Sequence, residues 1–153
     1  MSDVVQQYAC GFLFSIDRSH VLLIRKRRPA WQAGRLNGIG GKVEPGETFA
    51  QAMQREFREE AFLDLSDWQP ALQLSGQDDT VSSRTWSATF FRAFGDLHRA
   101  RATTDEMLEI HRVDALPLEV IPNLRWIIPL LLDDEVMSGT YRADICHSVI
   151  TNI

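Results

Sequence analysis

The alternation of apolar and polar positions predicts a sheet that begins near the start of the chain. Residues 8–16 and 21–24 are apolar runs rich in β-forming side chains, and the short polar stretch between them is typical of a hairpin turn. The same kind of pattern predicts further strands or strand-like turns at residues 38–43, 72–74, 85–94 and 109–113.

An amphipathic helix is predicted to begin after Thr48. Phe49, Met53 and Phe57 recur at every fourth position, so they fall on one face of a helix. Thr48 followed by Gln51 fits a capping box, in which the hydroxyl accepts an amide of the first turn and the glutamine bonds back to the cap. The start of this helix is therefore marked by its own residues.

A second helix is predicted at residues 124–132, with Asn123 as its N-cap. Pro129 lies inside this apolar run and is expected to kink or end the helix, because proline removes a backbone donor. The pattern assigns no structure to the tail at residues 138–153. Strands interspersed with two helices indicate an α/β or α+β sandwich, and we expect residues 1–153 to form one domain.

Composition narrows the class of protein. The 153 residues are 44% hydrophobic and 24% charged, which is ordinary for one globular domain. The net charge of −5 disfavours a nucleic-acid polymer as partner, because phosphate backbones require a basic surface. The two cysteines lack metal-ligand spacing, and neither a signal-peptide pattern nor a long apolar span is present. We expect a soluble, cytoplasmic protein without a membrane partner; its oligomeric state stays open, a homodimer included.

The densest chemical signal is a pair of glycines followed by a helix rich in carboxylates. Gly40 and Gly41 precede the predicted helix, which carries Glu56, Glu59 and Glu60. Carboxylate oxygens suit hard divalent cations, although a charged helix face taken alone is more often a solvated surface. These glutamates lie beside the apolar stripe rather than opposite it, so we expect them at the edge of the core, partly shielded from water.

The spacing of this segment resembles the Nudix box. Gly41 is followed after five residues by Glu47 and, after seven more, by the sequence Arg-Glu-Phe-Arg-Glu-Glu at residues 55–60. The resemblance implies a Nudix-type α/β/α sandwich with a mixed central sheet. It also implies hydrolysis, dependent on Mg²⁺ or Mn²⁺, of a nucleoside diphosphate linked to another group, with a nucleoside phosphate as product.

By this resemblance the metal ligands are oxygen donors: the Gly40 carbonyl and the carboxylates of Glu56, Glu59, Glu60 and Glu106. Glu109 is an alternative to Glu106. Either Glu56 or Glu59 would accept the proton of the attacking water, since the base differs among Nudix enzymes. Arg55 cannot bind a cation, so we expect its charge to hold Glu47 and orient the ligands.

A second resemblance concerns the substrate. Residues 33–43 are similar to the corresponding loop of MutT-type enzymes, which hydrolyse oxidised purine nucleoside triphosphates. The residues expected on the substrate side are Trp31, Asn37, Arg27, Lys42 and Asn123. The amide of Asn37 can both donate to and accept from a purine edge. Trp31 either stacks on the base or anchors its loop on the core, and the basic run at residues 25–28 could hold phosphate.

The similarity weakens near the second helix. Asn123 and Leu124 stand where the MutT-type pattern has two adjacent acids, so the base is bound differently or the substrate differs. A helix cap is the preferred interpretation of Asn123. Two other functions stay open: a Nudix hydrolase of ADP-ribose or a nucleotide sugar, and a non-catalytic regulatory module that binds a nucleotide. The retained glutamates of the box disfavour the second.

Phe62 is the one departure within the box, because the family pattern has glycine at that position. Glycine there would end the helix in a left-handed conformation, which costs other residues about 1–2 kcal/mol. We therefore expect the helix to end by another route and Phe62 to pack into the core.

Overall fold

The computed structural model describes residues 5–77 and 85–139, and the elements named here belong to those residues. The strands are β1 (Val5–Phe14), β2 (His20–Arg25), β3 (Leu36–Asn37), β4 (Ile39–Lys42), β5 (Gln69–Gln77), β6 (Thr85–Phe94) and β7 (Met107–Arg112). The helices are α1 (Phe49–Ala61), α2 (Leu124–Leu132) and the short α3 (Asp134–Ser138). Most of the predicted tail, and Cys146 within it, lies outside the described residues. Among the described helices, none is long and apolar enough to cross a bilayer.

One sheet joins the strands in the order β3-β2-β1-β6-β5, with β4 added on β1 and β7 on β2. β1 and β6 run parallel from the Val5–Thr85 pair to the Phe14–Phe94 pair, whereas β2 and β5 pair antiparallel with their neighbours. The predicted hairpin is confirmed by the antiparallel pairing of β1 with β2. The sheet is therefore mixed, as the Nudix resemblance implied.

The sheet has a hydrophobic core on each face because successive side chains of a strand point to opposite sides. Leu13 of β1 packs with Met53 and Phe57 of α1, while its neighbour Phe12 packs with Ile127 of α2. All of these side chains are buried. The arrangement of helix, sheet and helix confirms the predicted α/β/α sandwich.

α1 begins as its sequence indicates. The Thr48 hydroxyl accepts the Gln51 amide at 3.1 Å, and the Gln51 side chain accepts the Thr48 amide at 2.9 Å, which completes the capping box. At the other end the expectation for Phe62 is wrong. Phe62 adopts the left-handed conformation, with φ 51° and ψ 39°, and its side chain is 68% exposed. The helix thus ends in the conformation that glycine would adopt, although the residue is phenylalanine and most of its side chain is exposed.

α2 has the predicted range but not the predicted cap. Asn123 precedes the helix, but its side chain makes no capping hydrogen bond within the described part of the chain. Its own backbone is already helical, with φ −67° and ψ −20°, whereas a capping side chain normally belongs to an extended residue. The helix continues through Pro129 to Leu132, which confirms the predicted range and excludes an end at the proline.

Two arginines from other elements hold the C-terminal end of α2. Arg92 of β6 donates to the Leu131 carbonyl at 2.8 Å, and Arg18 donates to the Leu132 carbonyl at 3.0 Å. Both guanidinium groups also bond to Asp134 and lie over the Phe94 ring. Helix carbonyls at this end carry partial negative charge, so the two cations satisfy and neutralise them.

Candidate active site

A partly buried arginine connects the glycine turn to the carboxylate helix. Arg55 donates from Nε and Nη2 to the two oxygens of Glu47 at 2.7 and 3.0 Å, and from Nη2 to the Lys42 carbonyl at 3.0 Å. Its Nη1 donates to Glu56 at 2.8 Å and to Glu59 at 3.3 Å. The forked contact with Glu47 is the one expected from the sequence, and the hydrogen bond from Arg55 holds the pKa of Glu47 at about 2.

The helix glutamates differ in how far water reaches them. Glu56 is 13% exposed, whereas Glu59 is 56% exposed. Burial raises the pKa of Glu56, although its hydrogen bond with Arg55 opposes the shift. Glu60 is shifted further: burial raises its pKa to about 7, opposed by the charge of Lys26. Two carboxylates therefore lie at the edge of the core, as expected, while Glu59 faces solvent.

The two glycines before the helix are required by close packing. A Cβ on Gly41 would lie 2.5 Å from a carboxylate oxygen of Glu56, and a Cβ on Gly40 would lie 1.9 Å from the Ala9 carbonyl oxygen. The absence of side chains brings β4 against β1 and lets the Glu56 carboxylate rest on the strand backbone. Any larger residue at either position would displace the carboxylate or the strand.

The two candidate acids of the β7 region lie in different surroundings. Glu106 is buried and accepts the Lys26 ammonium at 3.0 Å and the Arg27 amide at 2.6 Å. Burial favours a higher pKa for Glu106, but these two donors outweigh it and lower the pKa. Glu109 forms a forked ion pair with Arg25, and that hydrogen bond lowers its pKa. Glu106 and Lys26 both act electrostatically on Glu60, so Glu106 belongs with the carboxylate helix.

Every member of the basic run at residues 25–28 has an acidic partner. Arg25 pairs with Glu109, Lys26 with Glu106, and Arg27 and Arg28 with Asp105. Arg27 is exposed at the rim of a shallow groove that Met107 and Ala33 also line. Lys42 is exposed on β4, next to the glycines. Substrate phosphate would therefore have to compete with these acids for the basic run.

The side chain of Asn37 has a defined orientation. Its nitrogen donates to the Gln32 side chain at 3.0 Å, and its oxygen accepts the Gly38 amide at 2.8 Å. The Cys10 thiol lies 4.0 Å from the same oxygen, and burial raises the pKa of this thiol to about 12. A flipped amide would place two donors against each other at Gly38, so the hydrogen bonds fix which atoms Asn37 presents.

Trp31 and Asn123, the remaining predicted substrate residues, differ in burial. Trp31 is 65% exposed on the short 3₁₀ turn Ala30–Gln32, so the core-anchor alternative is wrong. Asn123 is partly buried, and its side-chain oxygen is fully buried without a hydrogen-bond partner among residues 5–77 and 85–139. In the described part of the chain, no hydrogen bond joins the side chains of Trp31, Asn37 and Asn123.

Sequence reasoning missed three residues that organise the site: Lys26, Gln32 and Thr103. Lys26 was grouped with a basic run, although its partner Glu106 is 80 residues away along the chain. Gln32 orients Asn37 from a turn, and the Thr103 hydroxyl donates to the Glu59 carbonyl. The contacts of Lys26 and Thr103 join residues 80 and 44 positions apart, so no local signal indicates them. Gln32 is five positions from Asn37, but its residue type alone does not indicate the bond.

The carboxylates of this site are candidate ligands for a divalent cation. Among the described residues, no three acidic, histidine or cysteine side chains are already gathered at metal-binding distances. The chemistry of the donors nevertheless suits a hard cation, because the groups at the site are carboxylates. One oxygen of Glu60 is buried without a partner in the described part of the chain, and burial raises the pKa values of Glu56 and Glu60. The residues therefore fit such an ion.

Comparison with known proteins establishes the class. The NUDIX domain model matches residues 6–131, so the chain belongs to the Nudix family. Together with the relatives below, this match makes the chain a MutT-like Nudix hydrolase that acts on phosphoric anhydride bonds, in a family that generally uses divalent metals.

Two curated relatives share a name. The chain is 29% identical over 128 residues to the oxidized purine nucleoside triphosphate hydrolase of Mus musculus, covering 80% of this chain and 78% of that protein. It is 48% identical over 48 residues to the protein of the same name from Danio rerio, but this match covers 31% of the chain and 30% of the relative.

Solved structures support the fold. The MutT Nudix hydrolase of Burkholderia pseudomallei matches with a TM-score of 0.70 at 22% identity, covering 85% of this chain and 99% of that one. The MutT protein of Bacillus halodurans matches with a TM-score of 0.63 at 23% identity, covering 84% of each chain. At these identities the likeness concerns the fold alone.

Proposed function

We propose that the protein is a Mg²⁺-dependent pyrophosphatase, with Mn²⁺ as a substitute ion, that converts a nucleoside triphosphate to the nucleoside monophosphate. The substrate class we propose is an oxidised or otherwise non-standard purine nucleoside triphosphate. The name of the Mus musculus relative supports this class. The observation that carries the proposal is the carboxylate edge of α1 beside the glycine turn. There Arg55 holds Glu56 at 2.8 Å and Glu59 at 3.3 Å, and one oxygen of Glu60 is buried without a partner among the described residues.

In this proposal the cation is held by oxygen atoms from the glycine turn, the helix and the β7 region: the Gly40 carbonyl and the carboxylates of Glu56, Glu59, Glu60 and Glu106. When bound, the ion would neutralise the pyrophosphate and make its phosphorus more electrophilic. Arg55 would keep Glu56 and Glu59 in place through the contacts it makes in the structure.

The proton of the attacking water would pass to Glu56 or Glu59. A general base must be within hydrogen-bond reach of water, and the 56% exposure of Glu59 favours it over the more enclosed Glu56. Glu60 is less suited to this step because its buried oxygen faces away from solvent. Glu60 would instead contribute negative charge that a cation compensates.

The substrate side would use neutral amides in place of paired acids. Asn37 presents a fixed amide, and the buried oxygen of Asn123 lacks a donor within the described residues, so a base amino or imino group could supply one. Trp31 is exposed and free of the core, which suits stacking on a base.

A hydrolysis panel tests this proposal. Ordinary and oxidised nucleoside triphosphates, ADP-ribose and nucleotide sugars are each incubated with Mg²⁺, and the nucleotide products are separated. We expect release of nucleoside monophosphate, with the oxidised purines hydrolysed fastest. The double variant Glu59→Gln/Glu60→Gln should lose turnover, while Glu135→Gln on the exposed surface of α3 should retain it.

Two results would contradict the proposal. Preferred hydrolysis of ADP-ribose or a nucleotide sugar would replace the substrate class and leave the reaction type standing. Wild type as inert as the double variant on every substrate, with nucleotide binding intact, would favour the regulatory module instead.

A further inference from the structure

One loop is hydrogen-bonded to the C-terminal end of α1 and leads into Glu106, the acid just before β7. We name residues 101–106 the clasp loop. Its Arg101 amide donates to the Ala61 carbonyl at 2.8 Å, and its Thr103 hydroxyl donates to the Glu59 carbonyl. The last carbonyls of a helix have no partner inside the helix, so the clasp loop satisfies two that would otherwise face water.

The left-handed conformation of Phe62 makes these carbonyls available. Phe62 donates its amide to the Arg58 carbonyl and turns the chain away, so the helix does not continue over Glu59. In a longer helix, the Glu59 carbonyl would bond to the amide four residues later. The C-terminal end of α1 and the clasp loop are therefore joined by hydrogen bonds.

The far end of the clasp loop is equally fixed. The Glu106 amide donates to the Thr104 hydroxyl at 3.1 Å, and the Glu106 carboxylate accepts from Lys26 and from the Arg27 amide. Asp105 forms a forked pair with Arg28 at 2.8 and 3.1 Å. Glu106 is therefore anchored on one side to the segment that follows β2 and on the other, through the clasp loop, to the helix turn that carries Glu59.

We propose that Thr103 is a positioning residue that sets the separation between Glu59 and Glu106 and thereby the affinity of the site for a divalent cation. This inference rests on the proposed function, since it concerns the same carboxylates. Thr103 touches neither carboxylate: its hydroxyl bonds to the backbone of the residue that bears one of them. Residues that orient ligands in this indirect way typically change metal affinity by about 10–100-fold when they are removed.

The test compares variants that differ in the hydroxyl. Thr103→Val keeps the shape and loses the donor, Thr103→Ala loses both, and Thr103→Ser keeps the donor. Free Mn²⁺ is titrated by electron paramagnetic resonance without nucleotide, and the Mg²⁺ dependence of hydrolysis is measured separately. We expect Mn²⁺ affinity to fall about 10-fold in the Val and Ala variants and to stay at the wild-type value in the Ser variant.

A matched control is available in α3. The Ser138 hydroxyl donates to the Glu135 carbonyl at 2.8 Å, which is the same kind of bond at a helix end away from the carboxylates. Ser138→Ala should leave Mn²⁺ affinity unchanged. Thr103 is exposed, so its variants are expected to fold, and circular dichroism checks this.

The outcomes separate this inference from the proposed function. Wild-type Mn²⁺ affinity in Thr103→Val would overturn the positioning role, as would an equal loss in Thr103→Ser. If wild type itself binds no Mn²⁺ and hydrolyses no nucleotide, the proposed function fails with it. If wild type binds Mn²⁺ and hydrolyses nucleotide, and the Thr103 variants bind Mn²⁺ with the wild-type affinity, the inference alone fails.

Discussion

The two longer helices of the described residues are stabilised in different ways. α1 has a complete capping box, an apolar stripe and an arginine that bonds its own neighbours Glu56 and Glu59. α2 lacks a side-chain cap within the described residues, and Pro129 interrupts its backbone hydrogen bonds. Local sequence therefore defines α1, whereas α2 depends on what the rest of the fold supplies.

The difference corresponds to the two parts of the proposed site. The chemistry assigned to α1 requires several carboxylates to keep one arrangement, and local bonds can maintain it. The end of α2 presents Asn123 beside a buried apolar helix, where only tertiary packing fixes its position. Under the proposed function, changes around α2 would therefore act on the substrate side, whereas changes in α1 would act on the carboxylates.

Arg92→Met tests the tertiary support of α2 and has the largest expected effect, a loss of stability. The change removes donors from the Leu131 carbonyl and from the Gln69 side chain, and it removes the pair with Asp134. Of these acceptors only the Leu131 carbonyl makes a buried bond, whereas Gln69 and Asp134 are exposed. A buried acceptor left without its donor costs about 1–3 kcal/mol, and we expect the free energy of unfolding to fall by about that amount. Urea unfolding measures this loss. Turnover per folded molecule should be unchanged.

Arg18→Met is the control, since Arg18 holds the same helix end from a more exposed position. Its destabilisation should be smaller than that of Arg92→Met. A fully folded Arg92→Met protein that had lost turnover would contradict the separation of α2 stability from catalysis.

Arg55→Lys tests the corresponding arginine of α1. Lysine keeps the charge but cannot make the forked bond to Glu47 while reaching the Lys42 carbonyl and Glu56. We expect turnover at limiting Mg²⁺ to fall about 10–100-fold, with partial recovery at high Mg²⁺. Steady-state kinetics across a Mg²⁺ series measures both.

Arg58→Lys is the matched control, because Arg58 is exposed and follows Arg55 on the same helix. It should hydrolyse substrate at the wild-type rate. Equal turnover of the Arg55 and Arg58 variants would remove Arg55 from the ligand arrangement.

The two helix starts give a smaller, paired prediction. Thr48→Ala loses the capping bond to Gln51 and should lower the free energy of unfolding by about 1 kcal/mol. Asn123→Ala loses no capping bond and removes a buried oxygen without a partner in the described residues, so its effect should be close to zero. Parallel urea titrations compare them. A larger loss in Asn123→Ala would restore the capping interpretation.

Local signals explain which parts of the molecule were predictable. The start of α1 and the bond between Arg55 and Glu47 follow from residues close in sequence, and both were expected. The pairing of Lys26 with Glu106 and the donation of Thr103 to Glu59 join segments 80 and 44 residues apart. Such contacts depend on the sheet order, which periodicity alone does not determine.

Two wrong predictions have the same physical origin. Asn123 was assigned to a cap on its residue type, and Phe62 was assigned to the core because a left-handed phenylalanine is unfavourable. Each preference is worth about 1–2 kcal/mol, which tertiary contacts can exceed. At Phe62 the opposing contacts include the bonds of the clasp loop to α1.

Phe62→Gly measures that local cost directly and gives the smallest expected effect. Glycine relieves the left-handed strain of about 1–2 kcal/mol, but it adds backbone entropy to the unfolded chain worth about 0.5–1 kcal/mol. Little packing is lost because the ring is 68% exposed. We therefore expect the free energy of unfolding to rise by about 0.5–1 kcal/mol, with turnover retained.

Arg18 provides the contrast, because it also has a positive φ, of 63°, yet its side chain binds the Leu132 carbonyl and Asp134. Arg18→Gly should therefore destabilise the protein even though it relieves the same kind of backbone strain. Urea unfolding of both glycine variants gives the sign of each effect. If Phe62→Gly instead lowered the free energy of unfolding with an unchanged m-value, the exposed ring would be making a contact that stabilises the end of α1. That contact would then contribute more than the left-handed conformation of Phe62 costs.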